Sequence, residues 1–116
     1  MIAAALLLAS TQTLVGDWAF VDAHRDASKL VELCETDFGA RYERDGTFIG
    51  YEEEGRWSAA GEELTEIVER EMGEGGDLVA VKPTRRVFRL RWLSPDHVNI
   101  EKDGEMSGMI RCPPAR

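Results

Sequence analysis

The chain has 116 residues, of which 43 % are hydrophobic and 31 % are charged, and its formal net charge is -8. This length suits a single domain, and the apolar fraction is too high for a disordered chain. The excess of negative charge would repel nucleic-acid backbones and anionic lipid surfaces. We therefore expect one folded domain, from the length and composition, and no binding to nucleic acid, from the charge.

The N-terminus carries an uncharged apolar run, IAAALLLA at residues 2–9, which small polar residues follow at 10–13. Such a run is typical of the core of a secretory signal peptide and is too short to span a bilayer. We predict a signal peptide at residues 1–11, a single folded domain at 12–116 and a periplasmic or secreted location. The cleavage site stays open because no A-x-A motif follows, and an apolar first strand is the alternative.

The sequence contains two cysteines, Cys34 and Cys112. An even number of cysteines in an exported chain indicates a disulfide, and two free thiols in the core are the alternative. A bond between them would close most of the domain and stabilise the fold by about 4 kcal/mol through loop entropy. A metal site is not expected, because structural zinc normally takes four ligands and neither cysteine has a histidine nearby.

The first half of the domain begins with LVGDWAFVD, in which Trp18 and Phe20 share one face, and this alternation predicts a strand. Residues 26–34 fit a short helix capped by Asp26, with loop or strand as the alternatives. The pair Asp45-Gly46 lies between two alternating segments and predicts a hairpin, because a type I′ turn needs positive φ at both central positions.

The second half contains ELTEIVEREM, residues 63–72, which fits both a helical stripe and a strand. We favour the strand because hairpin segments surround it and the turn signal GEGGD follows at 73–77. In the next segment Phe88, Leu90 and Trp92 share one face. We interpret the basic cluster there as the solvent face of a strand, comprising Arg85, Arg86, Arg89 and Arg91.

The segments add up to seven or eight strands at about ten-residue spacing, with at most one short helix and a second Asp-Gly turn at 103–104. This spacing predicts an all-β fold, either an antiparallel up-and-down barrel or a sandwich, and not a parallel sheet.

Four short features together resemble small bacterial exported lipocalin-like β-barrels over about residues 14–113: Gly16 with Trp18, Asp45 to Phe48, Gly55 with Trp57, and Arg111 with Cys112. Inhibitors of the alkaline proteinase inhibitor type are similar in size and in their Gly-x-Trp start. The resemblance implies an up-and-down barrel in which Trp18 plugs the closed end. Arg111 would stack on the indole and Gly16 would leave room for it.

The resemblance also implies a binding module for a small apolar or amphipathic molecule. The aromatic residues expected to line that site are Tyr42, Phe48, Tyr51, Trp57, Phe88 and Trp92. The alternative is an inhibitor of a secreted protease or another protein-binding module, although the inhibitor type has its disulfide within the first half, unlike Cys34 to Cys112. Oligomeric state is not predicted.

No catalytic or cofactor-binding pattern is present. His24 and His97 are interpreted as solvated residues, and GxSxG, P-loop and dinucleotide glycine motifs are absent from the sequence. The acidic clusters at 52–54 and 62–71 lack calcium-loop spacing and are interpreted as a solvated face. We therefore expect a protein that is not an enzyme and that has no cofactor and no metal.

Overall fold

The strands predicted from the sequence form a closed barrel. A computed structural model describes residues 13–21, 34 and 39–113. Within these ranges the chain forms eight strands: β1 Gly16–Val21, β2 Gly39–Tyr42, β3 Thr47–Gly50, β4 Glu53–Ala60, β5 Glu63–Met72, β6 Leu78–Ser94, β7 His97–Lys102 and β8 Glu105–Arg111. Each strand pairs antiparallel with the next, and β8 pairs with β1. The all-β fold is confirmed, as is the barrel rather than the sandwich.

Strand pairing and local turn signals account for several of these elements. Residues 63–72, which fitted both helix and strand in the sequence, form β5 because β4 and β6 pair with them on both sides. At the second Asp-Gly turn, Asp103 has φ 53° and Gly104 has φ 83°, the left-handed conformations that a type I′ turn requires. At Asp45-Gly46 the predicted hairpin is present, but the type I′ turn is wrong, because only Gly46 has a positive φ, 95°, and the connection is the longer loop 43–46. The helix proposed at 26–34 falls, apart from Cys34, outside the described residues, as does the signal peptide at 1–11.

The barrel interior is filled by side chains that alternate along the strands. Buried hydrophobic residues of seven strands and of the segment before β1 form one cluster, which comprises Leu14, Trp18, Ala40, Tyr42, Phe48, Leu64, Leu90, Val98, Ile100 and Met109. In β6, Leu90 is buried whereas Arg89 and Arg91 are exposed, as the alternation predicted. Burial of apolar area on this scale is the main favourable term in folding.

One end of the barrel is closed by an arginine on a tryptophan. Trp18 pairs with Arg111 across β1 and β8, and the Arg111 guanidinium lies 4.4 Å from the centre of the indole ring. The same guanidinium donates to the carbonyl oxygens of Val15 and Thr13, at 2.6 and 2.8 Å, and pairs with Asp96 at 2.9 Å. A Cβ on Gly16 would approach Arg111 Nη1 to 2.9 Å, so glycine leaves the space that the guanidinium occupies.

The long strand β6 changes partner along its length. Leu78 to Arg89 pair with β5, whereas Arg89 to Ser94 pair with β7. β7 ends at Lys102, so the part of β6 before Arg89 pairs with β5 alone and extends past β7 at the end opposite Trp18.

A disulfide joins Cys34, between β1 and β2, to Cys112 just after β8. The predicted pairing is therefore confirmed, and the alternative of two free thiols is wrong. A disulfide indicates an oxidising, extracytoplasmic environment.

We expect Arg111→Met to lower the free energy of unfolding by about 2–4 kcal/mol, because it removes charge-assisted hydrogen bonds and the stacking on Trp18. The matched control is Arg91→Met. Arg91 is exposed and pairs with Glu101 at 3.7 Å, and such surface pairs contribute about 0–1 kcal/mol. Urea unfolding followed by tryptophan fluorescence measures both, and equal losses would contradict the closing role of Arg111.

Replacing both cysteines with serine should lower the free energy of unfolding by about 4 kcal/mol, since the bond spans 78 residues of sequence. Urea unfolding of the double variant and of the wild type, with and without reductant, provides the measurement. Reduced wild type should behave like the double variant. An oxidised wild type no more stable than the variant would be inconsistent with this estimate.

Candidate ligand site at the barrel mouth

The two ends of the barrel differ in how they are closed. At the Trp18 end, Arg111 ties the last strand to the turn that contains Asp96. At the opposite end lie the last residue of β1 and the turns that join β3 to β4, β5 to β6 and β7 to β8. We call this second end the mouth.

The mouth contains an open depression of about 270 Å³. The described residues that line it are Phe88, Ile100, Lys102, Asp103, Glu105 and Ser107. Phe88, Ile100 and Ser107 alternate in phase with buried Leu90, Val98 and Met109, so they belong to the inner face. The depression therefore lies beside β6 where β7 ends and β8 begins, with an apolar floor and charged residues at its rim.

A charged cluster lies on the inner face of β4, β5 and β6, next to this depression. Arg86 donates to both carboxylate oxygens of Glu53, at 3.2 and 2.9 Å, and to Glu66 Oε1 at 2.7 Å. The Tyr42 hydroxyl donates to Glu66 Oε2 at 2.6 Å. Glu66 is only 3 % exposed, so one guanidinium serves two carboxylates inside the barrel wall.

Burial shifts the protonation equilibria of this cluster. Burial raises the pKa of Glu66, and its hydrogen bonds with Tyr42 and Arg86 oppose that rise. Burial and the Glu66 carboxylate raise the pKa of Tyr42 well above its ordinary value. Burial acts to lower the pKa of Arg86, but the two glutamates outweigh it and the pKa rises. Tyr42 and Arg86 therefore remain hydrogen-bond donors.

Two members of this cluster differ from the sequence expectation. Arg86 was expected on the solvent face with Arg85, Arg89 and Arg91, and this is wrong, because Arg86 shares the inner face with Phe88. Glu66 was expected in a solvated acidic run, and it is buried instead. The available signal was parity, since Glu66 alternates in phase with Leu64 and Val68, and Arg86 with Phe88 and Leu90.

The structure brings three of the aromatic residues predicted to line a site into the packed core. The Tyr42 ring lies 5.4 Å from the rings of both Phe48 and Trp57, measured between centroids. The Trp92 ring lies 5.9 Å from that of Trp18, near the closed end. Tyr51 follows β3 and is 48 % exposed. Of the six residues, Phe88 is the one that lines the depression.

The remaining polar candidates do not converge in the part of the chain that the structure describes. His97 is half-buried and pairs with Ile110, on the outer face, and His24 lies outside the described ranges. No group of three or more His, Cys, Asp or Glu side chains among residues 13–21, 34 and 39–113 is arranged to hold a metal ion. No helix within those ranges has the length and hydropathy needed to cross a membrane.

Comparisons with protein-family models, curated proteins and solved structures found no match.

The role of the cluster can be tested by comparing the two adjacent arginines Arg85 and Arg86. We expect Arg86→Met to lower the free energy of unfolding by about 3–5 kcal/mol near neutral pH, because it leaves buried Glu66 without its cation. Arg85→Met, on the outer face, should change it by at most about 0.5 kcal/mol. Urea unfolding of both variants provides the comparison.

The deficit of Arg86→Met should shrink in acid. Without the guanidinium, the pKa of Glu66 in the folded state rises further above its unfolded value, because a lowering influence has been lost. A carboxyl group with a raised folded pKa stabilises the fold below its unfolded pKa, and that contribution is lost as the pH rises through the folded pKa. The variant should therefore be closer to wild type at about pH 5 than at about pH 7. A deficit independent of pH would contradict this role for Glu66.

Proposed function

We propose that this protein is an exported, lipocalin-like binding module that takes up a small amphipathic molecule at the mouth of its barrel. The observation that carries the proposal is the depression lined by Phe88, Ile100 and Ser107 from the inner face. Ligand sites in β-barrels commonly occupy the mouth, with apolar walls and a few polar groups that orient the ligand.

The size of the depression limits what could bind. At about 270 Å³ it lies slightly below the usual range for drug-sized ligands, roughly 300–1,000 Å³. The interior beyond it is occupied by Tyr42, Phe48, Trp57 and their neighbours. We therefore propose a slim ligand that inserts an apolar part over Phe88 and Ile100 and leaves its polar part at the rim.

The charged cluster supports the same proposal. Replacing a whole buried ion pair with well-packed apolar residues is often neutral or stabilising, because burying charges has a large desolvation cost. Glu66 and Arg86 together therefore add little stability compared with an apolar pair at the same positions. Perturbed ionisable groups beside a depression are favoured candidates for a functional site. The cluster would hold β4, β5 and β6 in place beneath the ligand.

Filling the depression should weaken binding. The probe is N-phenyl-1-naphthylamine, a neutral apolar fluorophore, and we expect the wild type to bind it in a saturable way. Ser107→Trp should weaken that binding at least about tenfold, because the indole occupies the space next to Phe88 and Ile100, a loss of about 1.4 kcal/mol. Met106→Trp is the matched control, since Met106 is 55 % exposed on the outer face.

Far-UV circular dichroism and urea unfolding establish that both variants are folded. If the wild type bound no probe, the proposal of a small-molecule binding module would fail, and a protein-binding module would be the better hypothesis. Equal binding by both tryptophan variants would place the site elsewhere on the barrel.

A further inference from the structure

The cluster and the lining of the depression contain more carboxylates than cations. Four carboxylates lie in the cluster or in the lining of the depression, and they belong to Glu53, Glu66, Asp103 and Glu105. Two cations share this region, Arg86 and Lys102. The mouth is therefore acidic, in keeping with the formal net charge of -8 for the whole chain.

Both cations are already engaged by carboxylates. Arg86 contacts Glu53 and Glu66 together, which leaves that group with one surplus negative charge near neutral pH. Lys102 Nζ lies 2.8 Å from Asp103 Oδ2, so this pair is neutral. Glu105 also lines the depression, and it forms no ion pair with the described residues. An incoming anion would meet no available cation among these residues.

Glu105 stands close to the apolar floor that Phe88 and Ile100 provide, in the lining of the same depression. A cleft lined by one sign of charge, with walls of low dielectric constant, concentrates ligands of the opposite sign. An apolar floor bordered by a carboxylate is complementary to an alkyl chain that ends in an ammonium group. The same arrangement disfavours a fatty-acid-like carboxylate, which would repel Glu105.

We infer that the mouth selects cationic amphiphiles, with an alkyl chain over Phe88 and Ile100 and an ammonium head group beside Glu105. This inference rests on the proposed function and adds the chemical class of the ligand. It predicts an order of affinity for molecules of equal chain length, in which the cation binds most tightly, then the neutral molecule, then the anion.

The test uses three eight-carbon molecules at concentrations below micelle formation: octyltrimethylammonium, 1-octanol and octanoate. Each is titrated into the full-length oxidised protein at low salt and near neutral pH, and binding is followed by isothermal titration calorimetry. We expect the cation to bind at least about tenfold more tightly than the anion. That ratio should fall as salt is added, because exposed charges are screened.

Two glutamate variants locate the effect. Glu105→Gln should reduce the preference for the cation over 1-octanol by about threefold or more, with binding of 1-octanol itself unchanged. Glu74→Gln is the control, because Glu74 is exposed in the turn between β5 and β6 and lies outside the lining of this depression. It should leave the order and the ratios as they are in the wild type.

The outcomes separate the two proposals. Binding of octanoate as tight as that of octyltrimethylammonium, or an unchanged cation preference in Glu105→Gln, would overturn the inference while leaving a binding module at the mouth. Failure of all three molecules and of the naphthylamine probe to bind would overturn the proposed function as well. A preference lost equally in Glu74→Gln would assign the effect to overall charge, and would also overturn the inference.

Discussion

The pairing of the last strand with the first is the constraint on which the rest of the molecule depends. Without β8 on β1, the eight strands would form an open sheet with two exposed edges and an uncovered hydrophobic face. Arg111 secures this seam at one end, where its guanidinium covers Trp18 and binds the backbone carbonyl oxygens of Val15 and Thr13. The open depression lies at the opposite end.

The interior contains an apolar region near the closed end and a charged cluster nearer the mouth. Around Trp18 and Leu64 the packing is apolar, whereas toward the mouth Glu66 and Arg86 occupy inward positions where apolar residues would serve stability as well. Their hydrogen bonds, together with those of Tyr42 and Glu53, satisfy most of the cluster, and one buried atom, Arg86 Nε, has no partner among the described residues. Polar groups kept at this cost are more readily explained by function than by folding.

The different lengths of β6 and β7 give the mouth its shape. Because β7 ends at Lys102 while β6 continues along β5, the inner side chains Phe88 and Ile100 form the floor of a depression beside the end of β7. Glu105 and Ser107 of β8 complete its lining. The residues of the apolar floor and the acidic rim belong to β6, β7, β8 and the turn between β7 and β8. These strands are consecutive in the chain, and the up-and-down order therefore makes them neighbours in the barrel.

Local physical chemistry was enough to predict much of the fold from the sequence. Alternation along β1 and β6, the Asp-Gly turns and the paired cysteines are local or compositional signals, and the strands, hairpins and disulfide that they predicted are present. The site was not predictable in this way. Period-two alternation does place Arg86 in phase with Phe88 and Leu90, but only the pairing of β4, β5 and β6 brings its guanidinium to Glu53 and Glu66, the partners that an inward arginine requires. The sequence alone thus determined an antiparallel all-β pattern with two cysteines available to form a disulfide. The tertiary structure decided that the sheet closes into a barrel and which charged side chains meet inside it, because both depend on how distant strands pair.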